Sequence, residues 1–272
     1  MALNLDNKGL RSITDEFELF FIDIWGVIHN GIELFESSIQ ALDELDKNKK
    51  EYVLLTNAPR PNSDVIKFLK KMGLDDNKCK KVYTSGEAAL NHIKSTWKNA
   101  NFFHIGPPRD FNLFKLFEKN KINNIEDAEL LLCTGLFDDH EKDLVFYKNL
   151  LKSKIDKKMI CTNPDLIVDR GHEREFCAGS VAKVFEEIGG KVDYFGKPYP
   201  LVYQQSIDLK NKKVLCIGDN LNTDIKGANL QNYDSLLIAK GIHRQEINNQ
   251  NIENLFKKYK VKVDFIQSNL KW

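Results

Sequence analysis

The sequence predicts an α/β protein with a doubly wound parallel sheet and a second α/β domain inserted into it. Three apolar runs, at residues 19–22, 52–55 and 214–217, are typical of strands buried on both faces of a parallel sheet. Between the runs, apolar residues recur at helical spacing. Polar segments follow each run directly. Because open α/β sheets bind ligands at the carboxyl ends of their strands, these segments mark the expected site.

The core elements are predicted in chain order from local patterns. After the first strand, residues 37–46 carry apolar side chains at 39, 42 and 45, which form one helical stripe. Residues 62–72 follow Pro61 and end at Gly73, as expected of a helix with start and stop signals. The remaining core elements are the turn of an α/β unit at 82–86, a segment at 199–207, the strand around Cys216 and a segment at 233–239.

An inserted domain is predicted because the alternation of strand and helix patterns starts again inside the chain. We assign residues 1–85 and 194–272 to the core and residues 86–193 to an α/β cap. A chain of 272 residues is longer than one average domain needs. Within the cap, strands are predicted at 100–105, 130–133 and 158–161, and helices at 111–117 and 142–151.

The composition argues against several classes of partner. Lysine plus arginine (40) nearly balances aspartate plus glutamate (39), so no strong field favours nucleic acid or an anionic membrane surface. No apolar run approaches the roughly 20 residues that span a bilayer, and the N-terminus lacks the pattern of a secretory signal. We therefore expect a cytoplasmic protein with no nucleic-acid or membrane partner. The five cysteines form no C-x-x-C pair, and the histidines show no zinc-ligand spacing.

Four short segments, far apart and in a fixed order, carry the chemistry. An aspartate carboxylate at a strand end can attack phosphorus, and two further carboxylates supply the hard oxygen ligands that Mg²⁺ requires. Hydroxyl, amide and ammonium groups offset the charge that phosphoryl oxygens gain in transfer. Each segment alone would be an ordinary turn, but together they predict a phosphoryl-transfer site. The segments are Asp23-Ile-Trp-Gly-Val27, Leu55-Thr-Asn57, Gly196-Lys-Pro198 and Gly218-Asp-Asn-Leu-Asn-Thr-Asp224.

This order resembles the haloacid dehalogenase-like (HAD) superfamily, and specifically its class IIA hydrolases, which carry a large α/β cap between the second and third motifs. The resemblance covers nearly the whole chain and implies a Rossmann-like core. Together with the first motif, Thr56-Asn-Ala-Pro-Arg60 and Cys177-Ala-Gly179 look like a poorly characterised subgroup with a D-x-W-G-V first motif. The resemblance implies a phosphatase but names no substrate.

The resemblance also implies a role for each motif residue. Asp23 is the expected nucleophile, and Thr56 and Lys197 are expected to act with it in catalysis. The phosphate is expected to lie against Ile24, Trp25 and Asn57. The expected holders of Mg²⁺ are Asp23, Asp219, Asp224 and the backbone carbonyl of Trp25.

One position departs from the family pattern. Trp25 stands where HAD phosphatases usually carry a second aspartate, which protonates the leaving group and later activates water. An indole does neither, and general acid–base help is worth about 10² to 10⁴ in rate, so slow hydrolysis is predicted unless another group substitutes. His29 titrates in the right range to substitute, and a plain loop histidine is the alternative interpretation. The metal contact survives because it uses the backbone.

The cap is expected to decide specificity by closing over the site. Asn163 and Asp165 lie in a segment that resembles a class IIA cap segment facing the site, so they are candidates to contact substrate. The alternative is an ordinary Asn-Pro turn. Arg60, Arg170 and Arg174 could meet an anionic substrate, but a solvated surface arginine is the competing interpretation for each.

Three functions are compatible with these residues. The leading one is a Mg²⁺-dependent phosphatase of a small phosphorylated metabolite, such as a sugar phosphate, acting through an aspartyl-phosphate on Asp23. An alternative of a different class is a phosphometabolite-binding or regulatory protein that kept the site and lost turnover through Trp25. A third is phosphonate or phosphoryl-transfer chemistry that needs no acid at position 25. The oligomeric state is open, and a homodimer through the cap is one candidate.

Overall fold

The structure is a computed structural model that describes residues 2–170 and 173–272, without the side chain of Arg170. Its strands are β1 (Leu3–Asn4), β2 (Leu19–Ile22), β3 (Glu51–Thr56), β4 (Val82–Thr84), β5 (Phe102–Ile105), β6 (Leu130–Cys133), β7 (Lys158–Cys161), β8 (Ile167–Arg170), β9 (Glu173–Phe176), β10 (Lys191–Tyr194), β11 (Val214–Gly218), β12 (Asp234–Ile238) and β13 (Phe265–Gln267). Its α-helices are α1 (Glu36–Lys47), α2 (Asn62–Lys71), α3 (Asp76–Cys79), α4 (Ser85–Thr96), α5 (Leu144–Leu151), α6 (Ala178–Glu187), α7 (Pro200–Ser206), α8 (Lys226–Leu230), α9 (Arg244–Asn249) and α10 (Ile252–Tyr259). Turns of 3-10 helix lie at Leu10–Ser12, Thr14–Glu16, Pro108–Asn120 and Ile125–Asp127, and a π-helical turn lies at Leu221–Ile225.

The chain packs into two units. The core unit comprises Met1–Thr56, Ile66–Tyr83 and Lys197–Trp272, and the cap unit comprises Asn57–Val65 and Thr84–Gly196. Residues 57–65 therefore pack with the cap unit, although their sequence position suggested the core. Hydrogen bonds account for this: the Thr84 backbone N–H donates to the Asn62 side chain, and the Thr84 hydroxyl donates to the Arg60 carbonyl. The domain limits predicted from the sequence, 1–85 with 194–272 and 86–193, stay a prediction.

The core unit is built on a seven-stranded sheet with the order β1-β13-β12-β11-β2-β3-β4. In this order, all neighbouring strands from β1 at the edge of the sheet as far as β3 pair in parallel. From β2 the chain moves outward through β3 and β4, and it later enters at β11 and moves toward the other edge through β12 and β13. The strand order thus reverses between β2 and β11. Open α/β sheets bind their ligands at such a switch point.

The central strands of the core unit are buried, as their apolar sequences predict. All residues of β2 and of β11 are buried, which is typical of a parallel sheet covered on both faces. Leu237 of β12 shares a hydrophobic cluster with Leu221 and Ile225 of the π-helical turn and with Leu255 and Phe256 of α10. The helices predicted at 37–46 and 62–72 are found as α1 and α2.

The cap unit has a parallel sheet of its own, with the order β10-β7-β6-β5. Helices α5 and α6 pack against this sheet through Tyr147, Leu151, Val181 and Phe185, which are fully buried. Strands β8 and β9 form a separate antiparallel pair. The strands predicted at 130–133 and 158–161 are found as β6 and β7 with the same limits.

Some elements differ from the sequence prediction. The helix predicted at 111–117 is a run of 3-10 turns, Pro108–Asn120, whose backbone departs from helical geometry at Phe117. The sequence does not predict the β8–β9 pair or β13, because strands of three or four partly exposed residues carry little periodicity. Among the described residues, no helix combines the length and the apolar character that a membrane crossing requires. The predicted α/β class, with parallel sheets and flanking helices, is confirmed.

Candidate active site

Asp23 and Asp219 meet at the switch point of the core sheet. Strands β2 and β11 are parallel neighbours, with Ile22 opposite Ile217. Asp23 follows β2 directly, and its backbone N–H donates to the Ile217 carbonyl at 2.8 Å. Asp219 follows the last residue of β11. One carboxylate oxygen each from Asp23, Asp219 and Asp224 lies within 4.8 Å of the others, so the first and fourth sequence segments converge as predicted from their strand ends.

Lys197 joins three parts of this edge. Its Nζ donates to Asp23 Oδ1 at 2.5 Å and to the Leu55 carbonyl at 2.9 Å, and it lies 2.7 Å from Asp224 Oδ1. Leu55 precedes Thr56, the last residue of β3, so Thr56 ends its strand at the same edge. The Lys197 side chain is buried. A buried ammonium requires oppositely charged partners and further hydrogen-bond acceptors; Asp23 and Asp224 supply the charge, and the Leu55 carbonyl is the further acceptor.

Asp224 is placed by the turn that follows β11. Residues Leu221–Ile225 form a π-helical turn, a rare geometry that is frequent at functional sites. Asp224 Oδ2 accepts the Asn220 backbone N–H at 3.1 Å, while Oδ1 contacts Lys197. The turn therefore brings the second carboxylate of this segment to the same edge as Asp219.

Negative charge exceeds positive charge in this cluster. Asp23, Asp219 and Asp224 are each at most 8% exposed, and Lys197 is in contact with Asp23 and Asp224. Burial, together with repulsion from Asp23 and Asp224, holds the pKa of Asp219 well above its usual range. A divalent cation would relieve this repulsion, and carboxylate oxygens are the ligands that Mg²⁺ takes. The donor set therefore fits Mg²⁺.

The loop after β2 closes directly on Asp219. Gly26 has a φ of 85°, in the region that favours glycine, and a Cβ at this position would lie 2.2 Å from Asp219 Oδ2. The backbone N–H groups of Ile28 and His29 both donate to the Ile24 carbonyl, which keeps the loop tight. The first motif thus requires glycine at this position, because any side chain there would displace a candidate metal ligand.

Trp25 packs within its own loop. A Cβ at Gly31 would lie 2.8 Å from the Trp25 indole. The ring centres of Trp25 and His29 are 5.0 Å apart, and those of His29 and Phe68 are 5.5 Å apart. Burial lowers the pKa of His29 to about 4, and its Nδ1 accepts the Gly31 N–H at 2.8 Å. His29 is therefore a neutral packing partner at pH 7. It holds no extra proton to give in place of the acid missing at position 25.

Hydrogen bonds link three predicted residues of the cap unit. Asn57 Nδ2 donates to Asp165 Oδ1 at 3.2 Å, and Asn163 Oδ1 accepts the Asp165 backbone N–H at 3.0 Å. The second bond is the side-chain turn that an Asn-Pro sequence favours. The Asn-Pro turn, which was the alternative interpretation of this segment, is present. Asp165, at the end of this turn, also lies within hydrogen-bond distance of Asn57.

The arginines considered as substrate contacts take part in ion pairs. Within the cap unit, Arg60 Nε lies 2.9 Å from Asp110 Oδ1. Arg174 Nε lies 2.8 Å from Asp169 Oδ1 across the β8–β9 pair. The side chain of Arg170 lies outside the described part of the chain. Substrate contact by any of them stays a prediction. Ile24 is buried, so its expected role rests on its backbone.

The sequence pattern does not predict the contribution of the segment after β12. The Ile242 backbone N–H donates to Asp219 Oδ2 at 2.8 Å, and a Cβ at Gly241 would lie 2.1 Å from the same oxygen. The sequence signal that could have identified this segment is its position after a predicted strand. Gly241-Ile-His243 comes shortly after an apolar strand, as the other site segments do.

Two family models match this chain. A model described as haloacid dehalogenase-like hydrolase matches residues 20–118, and one described as HAD-hydrolase-like matches residues 194–268. Together they cover more than half of the 272 residues, including Asp23, Lys197, Asp219 and Asp224. The chain belongs to the haloacid dehalogenase-like hydrolases. The resemblance to the haloacid dehalogenase-like superfamily is confirmed, and the assignment to a subgroup by its first motif stays a prediction.

Related proteins of this hydrolase include phosphatases. An acid sugar phosphatase of Staphylococcus epidermidis is 26% identical over 241 residues, which cover 85% of this chain and 89% of the relative. The crystal structure of a HAD-like hydrolase from Brucella suis has a TM-score of 0.82 and 28% identity, and covers 96% of this chain and 98% of its own. A glycerol phosphate phosphatase from Mycobacterium tuberculosis, solved in complex with magnesium, shares the fold with a TM-score of 0.65 and 22% identity, covering 85% of this chain and 70% of its own. The expectation of a phosphatase-type hydrolase is confirmed, and the individual residue roles stay predictions.

Proposed function

We propose that this hydrolase is a Mg²⁺-dependent phosphatase that acts on a small phosphorylated metabolite through an aspartyl-phosphate on Asp23. The observation that carries the proposal is the buried cluster of Asp23, Lys197, Asp219 and Asp224. A carboxylate nucleophile, a cation beside it and two further carboxylates able to hold Mg²⁺ are the groups that this kind of phosphoryl transfer requires. The acid sugar phosphatase among the relatives supports the same reaction class.

In the first step, a carboxylate oxygen of Asp23 forms a bond to phosphorus while the bond from phosphorus to the leaving oxygen breaks, and the leaving oxygen takes its proton from solvent because Trp25 supplies none. Lys197 orients the nucleophile through its hydrogen bond to Asp23 Oδ1. The Thr56 hydroxyl and the Asn57 amide are assigned to the phosphoryl oxygens, where donors stabilise developing charge. Asp23, Asp219 and Asp224 would hold Mg²⁺, which when bound supplies further positive charge to the phosphoryl group.

In the second step, a water oxygen bonds to phosphorus while the bond from phosphorus to the Asp23 oxygen breaks, which releases phosphate, restores the Asp23 carboxylate and gives the water proton to solvent. Trp25 has no group that can activate this water. A pKa of about 4 makes His29 a weak base, and its Nδ1 is occupied by the Gly31 N–H. We infer that turnover is slow and that the aspartyl-phosphate on Asp23 is long-lived. Loss of general acid–base catalysis lowers the rate by about 10²- to 10⁴-fold.

The proposed substrate is a sugar phosphate or a similar small metabolite. The name of the Staphylococcus epidermidis relative supports this class. The nearly equal numbers of basic and acidic residues also provide no strong positive field for a polyanion such as nucleic acid.

The proposal is tested by measuring phosphate release from a panel of phosphorylated metabolites, with and without Mg²⁺. Asp23→Asn removes the nucleophile and EDTA removes the metal, so each is expected to abolish release. Asp15→Asn is the matched control, because Asp15 has a fully exposed side chain. Release that survives Asp23→Asn would contradict the aspartyl-phosphate route.

A second candidate function is a phosphometabolite-binding or regulatory protein. The observation that favours it is the pair of Trp25, which lacks an acid group, and His29, which burial keeps neutral. This candidate predicts calorimetric binding of Mg²⁺ and phosphate without release from any substrate. The third candidate, phosphonate or phosphoryl-transfer chemistry, predicts that the phosphoryl group on Asp23 passes to an acceptor other than water. Mass spectrometry of the phosphorylated Asp23 peptide, with and without acceptors, separates the two.

Location and assembly are further predictions. The cytoplasmic location stays a prediction, which fractionation of cells that express the full chain would test. The homodimer through the cap is one candidate assembly. Analytical ultracentrifugation of the purified chain tests it, and a single species of monomer mass would contradict it.

A further inference from the structure

The segment that follows β12 lies directly against a candidate metal ligand of this hydrolase. The Ile242 N–H donates to Asp219 Oδ2 at 2.8 Å, and the absence of a side chain at Gly241 permits this approach. The terminal torsion of an aspartate side chain has a broad energy well, so a fixed hydrogen bond to one oxygen sets the orientation of the carboxylate. The orientation of Asp219 therefore depends on the position of this short segment.

Glu246 is the centre of a cluster that holds the segment in place. Its carboxylate lies 2.8 Å from His243 Nδ1, accepts from Lys258 Nζ at 2.7 Å and accepts from the Tyr259 hydroxyl at 2.9 Å. Partial burial alone would raise the pKa of Glu246, but hydrogen bonds from Lys258, His243 and Tyr259 outweigh it and lower the pKa to about 2. An ionised carboxylate only accepts, so His243 Nδ1 is the donor of this pair.

The cluster connects to Asp219 through a short covalent path. His243 is buried, packs edge to face on Tyr259 at 4.9 Å, and is the residue directly after Ile242. The Arg244 N–H donates to the Gly241 carbonyl at 3.1 Å, and the Ile247 N–H donates to the His243 carbonyl at 2.9 Å. Helix α9 thus begins on this segment, and Glu246 pins α9 to the end of α10.

We propose that Glu246 is a positioning residue for Asp219. By holding His243, it keeps the Ile242 N–H at Asp219 Oδ2 and so sets the affinity of the site for Mg²⁺. The inference rests on the proposed function, because it takes Asp219 as a metal ligand. Outer hydrogen-bond partners orient metal ligands, and their loss weakens metal binding. A purely structural role would instead lower stability and leave the affinity for Mg²⁺ unchanged.

The test is calorimetric titration of Mg²⁺ into purified wild type, Glu246→Ala, Glu246→Gln and Glu44→Ala. Glu44 is the matched control because it pairs with a lysine on a helix of the same unit, and its side chain is 31% exposed against 33% for Glu246. We expect Glu246→Ala to weaken Mg²⁺ binding by about tenfold, the lower end of the range for outer partners of metal ligands. Glu246→Gln keeps an acceptor oxygen, so its loss is expected to be smaller. Glu44→Ala is expected to match wild type.

Each result decides between the hypotheses. Wild-type affinity in Glu246→Gln and Glu246→Ala overturns the positioning role, even where thermal unfolding shows that they are less stable. If Glu246→Ala does not fold, Glu246→Gln alone decides, and unchanged affinity in that variant overturns the role. An equal loss in Glu44→Ala also overturns it. A wild type that binds no Mg²⁺ instead overturns the proposed metal site, which distinguishes failure of the proposed function from failure of this inference.

Discussion

The core unit and the cap unit both end parallel strands in polar residues, yet the chemistry of the two sheet edges differs. In the core unit, β2 and β11 are followed by Asp23 and Asp219, which share a cluster with Asp224. In the cap unit, β6 is followed by Thr134, whose hydroxyl lies 2.8 Å from His104 Nε2 of β5. The core edge gathers three carboxylates and an ammonium group, whereas Thr134 and His104 at the cap edge form a hydrogen-bonded pair without a carboxylate. A shared topology therefore decides where side chains gather, and their types decide what they can do.

The two edges also differ in electrostatic stability. The core edge concentrates three buried carboxylates around Lys197, and this repulsion raises the pKa of Asp219 beyond the effect of burial. The cap edge pairs its groups without net charge, as with Thr162, whose hydroxyl donates to the Cys133 carbonyl at 3.2 Å. We therefore expect substitutions at the core edge to change turnover and metal dependence. Substitutions at the cap edge should change stability or substrate affinity.

The largest expected effect is that of Asp23→Asn. Loss of a nucleophile typically lowers kcat by at least about 10⁴-fold, and no cap-edge substitution should approach that. The variant should fold, because it removes one charge from a cluster with excess negative charge. Initial rates of phosphate release from an aryl phosphate, with thermal unfolding as the folding control, check both statements. An equal fall in kcat on Asp165→Asn, in the cap unit, would break the comparison.

Trp25→Asp is expected to raise turnover of alkyl phosphates by about 10²-fold, because it restores a group that can protonate a poor leaving group. For the same reason, wild type should form the aspartyl-phosphate from aryl and acyl phosphates far faster than from alkyl phosphates. Trp25→Phe is the matched control, since it removes the indole and adds no acid. Rates on paired aryl and alkyl substrates measure the effect, and melting temperatures report any cost of the smaller side chain.

Equal rates of aspartyl-phosphate formation in wild type from aryl and alkyl substrates would contradict that expectation. Another residue would then supply the proton, and His29→Ala would be the first variant to measure. The neutral state of His29 leads us to expect that its removal leaves the aryl-to-alkyl ratio unchanged.

Acid should destabilise the cap edge through His104. Burial, with a smaller contribution from the nearby Lys121 charge, lowers the pKa of His104 to about 4. Because this folded-state pKa lies below the unfolded value of about 6.5, the stabilisation is complete above pH 6.5. It is lost as the pH falls from 6.5 toward 4, by about 3 kcal/mol at most.

Urea unfolding of wild type and His104→Gln between pH 7.5 and 4.5 measures this effect. The variant should be less stable than wild type at pH 7.5, because it loses the Thr134 contact, but its stability should fall less with acid. His140→Gln, at a more exposed histidine of the same unit, is the control for loss of a histidine. Parallel profiles for wild type and His104→Gln would show that the cap edge is not sensitive to pH through this residue.

The smallest expected effect is that of Asp165→Ala, which removes the acceptor of the Asn57 amide. A hydrogen bond of this kind is worth about 1 kcal/mol, so KM should rise by about fivefold with little change in kcat. Asp165→Asn keeps an acceptor oxygen and should lose less. Asp193→Ala, at an aspartate that pairs with Lys158 in the same unit, is the matched control. Steady-state kinetics on one substrate separate KM from kcat, and a fall in kcat alone would contradict the division between the edges.

Sequence and structure agree best where a short apolar run is bounded by polar residues. Strands β2, β6 and β7 have the predicted limits, because each contains a run of at least three buried apolar residues, as strands of a parallel sheet do. Agreement is poorer at Pro108–Asn120, where the pattern predicts an α-helix and the backbone forms 3-10 turns. The β8–β9 pair is not predicted, because its pairing depends on contacts between the two strands, which the pattern of either strand alone does not show.

The sequence by itself determined the α/β class, the order of the motifs and the chemical types of Asp23, Thr56, Lys197, Asp219 and Asp224. These follow from local periodicity and side-chain identity, which need no knowledge of distant neighbours. Only the tertiary structure decided that Lys197 bonds both Asp23 and Asp224, and that His29 is neutral. It also decided that the Ile242 N–H donates to Asp219 and that the neighbouring His243 pairs with Glu246. The physical reason is that burial, and the distances between groups far apart in the chain, set protonation and orientation, and both come into existence only when the chain packs.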